Sequence, residues 1–372
     1  MPAPAPAPAP APVLVVAAAP APVVEQTPVP VASPAPTPTP PHAVVAATPV
    51  ACEISLKDID FERDDDNIQI ELGQGASGTV YAGRWKGERV AIKKMTLPLE
   101  WVTSGRFWRE VQLHMQASYK HVVHVYGAAV KAAKAKTAVM DCYVVMDRLV
   151  VDLSSALHDT FLVDDPAHKV SAAVRPLPQR LRLLLEIARG VRFLHAQGIV
   201  HADLKPGNVM VDKYGIAQLT DFGLAVQRRL DASRTRSSHR GERGTLAYMD
   251  PALVGGNEGA SVKPASDMYS WGVMAWEVLT LHKPYERVSS SGGASSGAGA
   301  SASSGGAAAG GVGIVLVPSF SRLTFDGERP EEVLARVAPD VPLPLRDLIR
   351  RCWSEEQRVR PTAEAIVAAL EP

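Results

Sequence analysis

Apolar and polar positions alternate with a period of two over Ile68-Gln69-Ile70-Glu71-Leu72, which predicts a strand with one buried face. Val80-Tyr81-Ala82-Gly83-Arg84-Trp85 reads as a second strand. After the turn Lys86-Gly87-Glu88, Arg89-Val90-Ala91-Ile92-Lys93 reads as a third. The period then changes. From about Ser104 to Ala117, Phe107, Val111 and Met115 fall on one helical stripe. Tyr143-Val144-Val145-Met146 is an apolar strand ending in Asp147-Arg148-Leu149, a helix begins over Asp152 to His158, and 162–178 reads as a polar, Pro-containing connection. Gln179 to Gln197 predicts a long helix with Leu181, Leu184, Leu185, Ala188, Val191 and Leu194 as its core stripe and Gly198 as its stop. Val209-Met210-Val211 and Ala217-Gln218-Leu219 are short strands around the Asp212–Gly215 turn. Asp267 to Leu281 is an apolar helix around an Asp, too short and too punctuated by charge for a membrane span. Helical patterns resume over Pro330 to Val337 and Leu343 to Trp353, and a last helix ends at Leu370.

Two stretches carry no such period. Residues 1–51 are mostly Ala, Pro and Val, a composition that favours extended polyproline II and predicts a disordered tail. A polyproline-binding partner is the interaction this tail would suit. Its apolar run Val13 to Ala19 is too short to cross a bilayer, and no Lys or Arg precedes Lys57, so the positive flank of a signal peptide is missing. Residues 289–313 are almost wholly Ser, Gly and Ala, which predicts a disordered insertion within a domain. Charge adds little direction. Lys plus Arg and Asp plus Glu are both 39, so the whole chain has no electrostatic bias toward nucleic acid or a membrane surface. Cys52, Cys142 and Cys352 are far apart in sequence and form no metal or disulfide pattern, which suits a reducing compartment such as the cytoplasm.

The candidate chemistry is concentrated in His201-Ala202-Asp203-Leu204-Lys205-Pro206-Gly207-Asn208, followed closely by Asp221-Phe222-Gly223. Asp203 can accept a proton from a hydroxyl. Asn208 and Asp221 offer hard oxygen ligands suited to Mg²⁺, and Lys205 can neutralise a phosphoryl group. Upstream, Gly73-Gln74-Gly75-Ala76-Ser77-Gly78-Thr79-Val80 lets the backbone approach phosphates. A strand follows this loop rather than a helix, which argues against a dinucleotide-binding fold.

These motifs resemble those of protein kinases: the Gly loop, Val-Ala-Ile-Lys at 90–93, the H-R-D-L-x-x-x-N loop with Ala202 where the Arg would be, and D-F-G. The resemblance covers about residues 66 to 370. It implies an α+β, bilobal kinase fold over 66–372, with a small antiparallel sheet and helix C in an N-lobe (about 66–149) and a mainly helical C-lobe (about 150–372). It implies an ATP site at Leu72, Gly73, Gly75, Gly78, Val80, Ala91, Lys93, Met146, Asp147 and Leu149, with Met146 as gatekeeper. Lys93 would hold the α- and β-phosphates and pair with Glu110 of helix C. Asp203 would be the base, Lys205 a phosphate partner, and Asn208 and Asp221 the Mg²⁺ ligands. His114 stands where the family usually has an apolar residue, and a packed, neutral ring is expected there. Lys205 resembles the serine/threonine type, and Met249-Asp250-Pro251 resembles plant receptor-like kinases of the tyrosine-kinase-like group. Protein substrates would follow, and the rival reading is a pseudokinase that binds nucleotide without turnover.

Residues 224–249 would be the activation segment, with Arg228, Arg229, Arg234, Arg236, Arg240 and Arg243 around Ser233, Thr235, Ser237 and Ser238. A phosphorylation switch and a solvated basic loop are both open readings. Ala202 cannot grip a phosphate there as the usual Arg does. The Glu expected after Pro251 is Ala252, so Arg360, its usual partner by resemblance, needs a replacement. Glu258 or a backbone carbonyl is expected to supply it.

The insertion yields a direct test. Deleting 290–311 should change unfolding free energy by only ~1 kcal/mol or less in chemical denaturation, since closure entropy grows with the logarithm of loop length.

Overall fold

A computed structural model describes residues 52–75, 78–131, 138–222, 246–254, 262–284, 319–323, 325 and 327–371. All lie within one unit, Pro49–Pro372. Side-chain alternation organises the N-terminal lobe. In strand β4 (Glu88–Pro98), Val90 and Ile92 join a cluster with Ile54, Ile59, Tyr143 and Val145. Ala91, Met95 and Leu97 face the opposite way, into a cluster with Val102, Phe107 and Val111. Lys93 shares that second parity, so the same alternation that builds the core turns its side chain inward. Lys94 takes the other face and pairs with Asp141 at 3.4 Å.

The antiparallel sheet has the order β1-β3-β4-β6-β5, with β2 also paired to β3. Its other strands are β1 (Ile59–Phe61), β2 (Glu71–Gly75), β3 (Gly78–Trp85), β5 (Val125–Lys131) and β6 (Val139–Asp147). The chain joins this lobe earlier than residue 66: β1 pairs with β3, and Cys52 and Ile54 hydrogen-bond through their backbones to Ala128 of β5. Glycines make room for this lead-in. A Cβ on Gly127 would sit 2.6 Å from the Cys52 carbonyl, and one on Gly83 would sit 2.7 Å from the Asp60 carbonyl.

The first predicted strand is displaced. It runs over Glu71–Gly75 rather than 68–72, and Ile68 is 62% exposed. The helix expected from 104 to 117 is α2 (Arg106–Gln116); a separate short helix, α1 (Leu99–Thr103), precedes it, and Gly105 at φ +75° breaks the chain between them. The buried stripe of α2 is Phe107, Val111 and His114, with Met115 only partly buried.

In the second lobe, the core surrounds α5 (Leu177–Ala196) and α7 (Pro264–Thr280). Every side chain from Ser266 to Thr280 is buried, as expected of a helix that is apolar all round. No helix among the described residues is long and apolar enough to cross a membrane. Gly198 ends α5 in the left-handed conformation, φ +72°. The connection predicted over 162–178 contains α4 (Pro166–Val174), capped by Asp165 and opened by a proline at its first turn. Its buried face, Ala167, Val170, Ser171 and Val174, has helical spacing that the surrounding polar residues masked. Strands β7 (Val151–Asp152), β8 (Val209–Val211) and β9 (Ala217–Leu219) form a second sheet in that order, and helix α3 (Leu153–His158) follows β7 directly. Helices α6 (Pro251–Val254), α8 (Pro330–Val337), α9 (Leu343–Cys352) and α10 (Ala363–Leu370) complete the described lobe. The 289–313 insertion lies outside the described residues.

Arg360 has a carboxylate partner, and it is Asp250. Both side chains are fully buried; Nη1 donates to Oδ2 at 2.7 Å and Nη2 to Oδ1 at 3.0 Å. The expectation of Glu258 is therefore replaced by Asp250, two residues before Ala252; Glu258 itself lies outside the described residues. The backbone-carbonyl half of that expectation is met, since Arg360 also donates to the carbonyls of Ser354 and Ala265. Burial alone would raise the Asp250 carboxyl. The Arg360 guanidinium, assisted by the Ala252 N–H and the Gln357 amide, outweighs it and holds the group below the ordinary carboxylate range.

Asp250→Asn should consequently lower stability by ~3–5 kcal/mol, the usual cost of breaking a buried pair. Because the folded pKa is depressed, the contribution is complete above the unfolded value of about 4 and is lost as pH falls through the folded one. Denaturant titrations across this range should show a shallower acid limb in the variant. Ala252→Glu should bring no comparable gain.

Candidate active site

The site begins with a buried carboxylate. Asp267 of α7, 1% exposed, accepts from the backbone N–H of His201 (Oδ2, 2.8 Å) and of Ala202 (Oδ1, 2.8 Å). His195 of α5 also approaches Oδ2 through its Nε2, at 2.8 Å. These bonds reverse the chain after α5 and hold Ala202 at φ +66°, a conformation that costs an L-residue ~1–2 kcal/mol. Asp203 thereby leaves the loop toward the interlobe space.

The following turn is cross-braced. Nδ2 of Asn208 donates to the Asp203 carbonyl at 2.7 Å and to its carboxylate at 2.9 Å, and Lys205 Nζ lies 3.1 Å from the same carboxylate oxygen. The Asn208 carbonyl accepts from the N–H of Thr220 at 3.0 Å. Pairing of β8 with β9 thus sets Asn208 beside Asp221. Glu186, within the apolar run of α5, supports β9 by accepting the Ala217 N–H at 2.8 Å.

Asp221 bridges the lobes. Its Oδ2 is 2.5 Å from Nζ of Lys93, whose side chain is 3% exposed, and its backbone has φ +62°. A cation buried to this degree needs a counter-charge, and Asp221 supplies one. Glu110 lies half-buried on α2; the ion pair that Lys93 forms in this arrangement is with Asp221. Met146 pairs with Ala91 across β4 and β6 and is 9% exposed.

The hairpin of β2 and β3 forms the roof, with Gly73 opposite Val80 and Gly75 opposite Gly78. Leu72, Gly73 and Gly75 are exposed. Gly78 has no room for a side chain: φ is +136° and a Cβ would lie 2.1 Å from the Lys94 carbonyl. Ala76 and Ser77, at the hairpin tip, lie outside the described residues. At the back edge, Asp147 accepts from the Tyr126 hydroxyl at 2.6 Å. Burial first, and then this bond and the Asp147 charge, raise Tyr126 to about 12. Leu149 packs against the cluster that holds Ala91 and Met146.

Sequence patterns did not reveal the roles of His195, Glu186 or Asp250. A charged or polar residue inside an apolar helical run is the signal that points to the first two. Asp250 had no such signal, because its partner is distant in the chain. The activation-segment arginines and Ser233, Thr235, Ser237 and Ser238 lie outside the described residues.

The donor set suits a divalent cation held jointly with phosphate. Among the described residues no group of three or more His, Cys, Asp and Glu converges to hold a metal unaided. Asn208 commits its Nδ2 to Asp203 and keeps its oxygen available, and Asp221 is a carboxylate. Two hard oxygen donors with the rest of the shell from phosphate and water match the habit of Mg²⁺.

Comparison with known proteins agrees with this geometry. A sequence profile described as Protein kinase domain matches residues 67–370. A Dictyostelium discoideum protein, named as a probable serine/threonine-protein kinase, is 27% identical over 314 residues, 84% of this chain and 18% of its own length. The Arabidopsis thaliana protein named probable serine/threonine-protein kinase SIS8 is 27% identical over 323 residues, 86% of this chain and 25% of its own. Human mitogen-activated protein kinase kinase kinase 7 is 25% identical over 325 residues, 85% of this chain and 43% of its own. The chain therefore spans less than half the length of each of these relatives.

Proposed function

The chain belongs to the protein kinase domain family, and on that premise we propose that it is an ATP-dependent serine/threonine protein kinase acting on protein hydroxyls in intracellular signalling. The observation that carries the proposal is the convergence of Lys93, Asp203, Asn208 and Asp221 from separate segments on one interlobe space.

In this mechanism Asp203 orients the substrate hydroxyl and takes its proton as the oxygen bonds to the γ-phosphorus of ATP, while the bond from that phosphorus to the β,γ-bridging oxygen breaks and ADP leaves. Asn208 and Lys205 hold the Asp203 carboxylate in place, and Lys205 remains close enough to share the charge of the transferred group. Lys93 holds the phosphates of ATP from above. Leu72, Gly73, Gly75, Gly78, Val80 and Ala91 enclose the nucleotide, with Met146, Asp147 and Leu149 along its adenine edge. Asn208 and Asp221 would hold Mg²⁺, which would supply charge neutralisation on the phosphates. Glu110 is the residue we assign to receive Lys93 when the nucleotide orders the site.

Similarity to proteins named as serine/threonine kinases supports the hydroxyl specificity, as does Lys205. The pseudokinase reading draws on Ala202 and Ala252. Asp250 supplies the buried partner whose loss Ala252 suggested, and Asp267 holds the loop at Ala202. The three cysteines are buried and none is in a disulfide, which supports a reducing compartment such as the cytoplasm. A polyproline-reading partner for 1–51 remains a proposal from composition.

Purified protein with Mg²⁺, labelled ATP and a mixed peptide library tests the reading, with phosphoamino-acid analysis of the products. Asp203→Asn should leave nucleotide binding nearly intact and reduce transfer ~10²–10⁴-fold, the usual effect of losing a general base. Asp221→Ala should also weaken use of Mg²⁺ and ATP. Wild-type turnover by Asp203→Asn would overturn the assignment of the base, and phosphotyrosine as the sole product would overturn the specificity.

A further inference from the structure

Helix α2 directs His114 into the space behind Asp221. The imidazole stacks on the ring of Phe222, with centroids 4.0 Å apart and planes inclined by 27°. Its Nε2 is hydrogen-bonded to the Phe222 carbonyl. A carbonyl can only accept, so Nε2 carries the proton in this contact. Burial is the dominant influence on this ring and lowers its pKa to about 4, against the opposing effects of the Phe222 bond and the Asp221 charge. The ring is consequently neutral at physiological pH.

We propose that His114 is a positioning residue for the site: its Nε2–H fixes the carbonyl of Phe222 and, through the single peptide link to Asp221, the carboxylate that faces Lys93.

An apolar side chain at this place would fill the same volume without direction. It would also leave the Phe222 carbonyl without this donor in a buried setting, where unpaired backbone groups are rare. Asp221 has particular need of a directional contact. Its backbone is left-handed, φ +62°, and such conformations persist only where the surroundings over-determine them. Lys93 restrains the Asp221 side chain, and His114 restrains the next carbonyl. The seat of α2 is thereby tied to Asp221 by a hydrogen bond as well as by packing. Packing alone fits the expectation of a merely neutral, buried ring; the bond to the carbonyl gives that ring a specific task.

The inference deepens the kinase reading and rests on it only for its activity arm. The test compares H114L and H114M, which keep apolar volume and lose the donor, with H114Q, which restores an N–H of similar reach. H114M replaces H114L should the latter not fold. Hydrogen exchange in nucleotide-free protein should be roughly ten-fold faster at the 221–222 amides of the apolar variants, the size expected for one lost hydrogen bond of ordinary strength. Their kcat should fall by about the same factor with KM for ATP little changed. H114Q should recover most of both. Wild-type exchange and kcat in H114L or H114M would overturn the proposal, as would an H114Q no better than they are. If wild-type protein transfers no phosphate, the kinase reading falls and the exchange arm alone decides the role of His114.

Discussion

The buried carboxylate of Asp267 is the constraint from which the site follows. A carboxylate at 1% exposure is tolerable only when donors surround it. Here the donors are the N–H groups of His201 and Ala202, with His195 beside them. To reach them, the chain must reverse immediately after α5, and that reversal carries Asp203 outward. The helix that supplies Asp267 is itself buried on all sides from Ser266 to Thr280, so the anchor cannot shift without disturbing the lobe's core. The position of the proposed base is therefore set by the most deeply packed element of the fold.

Across the interlobe space the controlling interaction is the Lys93–Asp221 pair. Strand parity makes Lys93 inward-facing, which leaves an ammonium group in a place where water cannot solvate it well. Asp221 supplies the counter-charge at the cost of a left-handed backbone. The two lobes are thus joined by a direct ionic contact.

Two departures from the family's motifs have different physical consequences. Ala202 keeps the backbone role of its position, since the N–H that Asp267 accepts does not depend on the side chain. What it lacks is a guanidinium to grip an activation-loop phosphate. Ala252, by contrast, has lost nothing that the fold does not replace. Arg360 meets Asp250 in a bidentate, fully buried pair, and the adjoining turn is anchored two residues earlier.

The sequence by itself determined the two-lobed fold and most elements, because those depend on local periodicity and on motifs a few residues long. Gly198 had only one conformation that would stop α5. It did not determine the lead-in from Cys52, the helix over Pro166–Val174, or the partners of Arg360 and His114. The first two have short or mixed apolar patterns that become legible only against the surfaces that cover them, such as the backbone of Ala128 and the close approaches of the chain to Gly83 and Gly127. The partners were undecidable for a different reason. A buried Arg or His demands a satisfied hydrogen bond, but any of several acceptors would serve, and only tertiary packing brings Asp250 to one and the Phe222 carbonyl to the other.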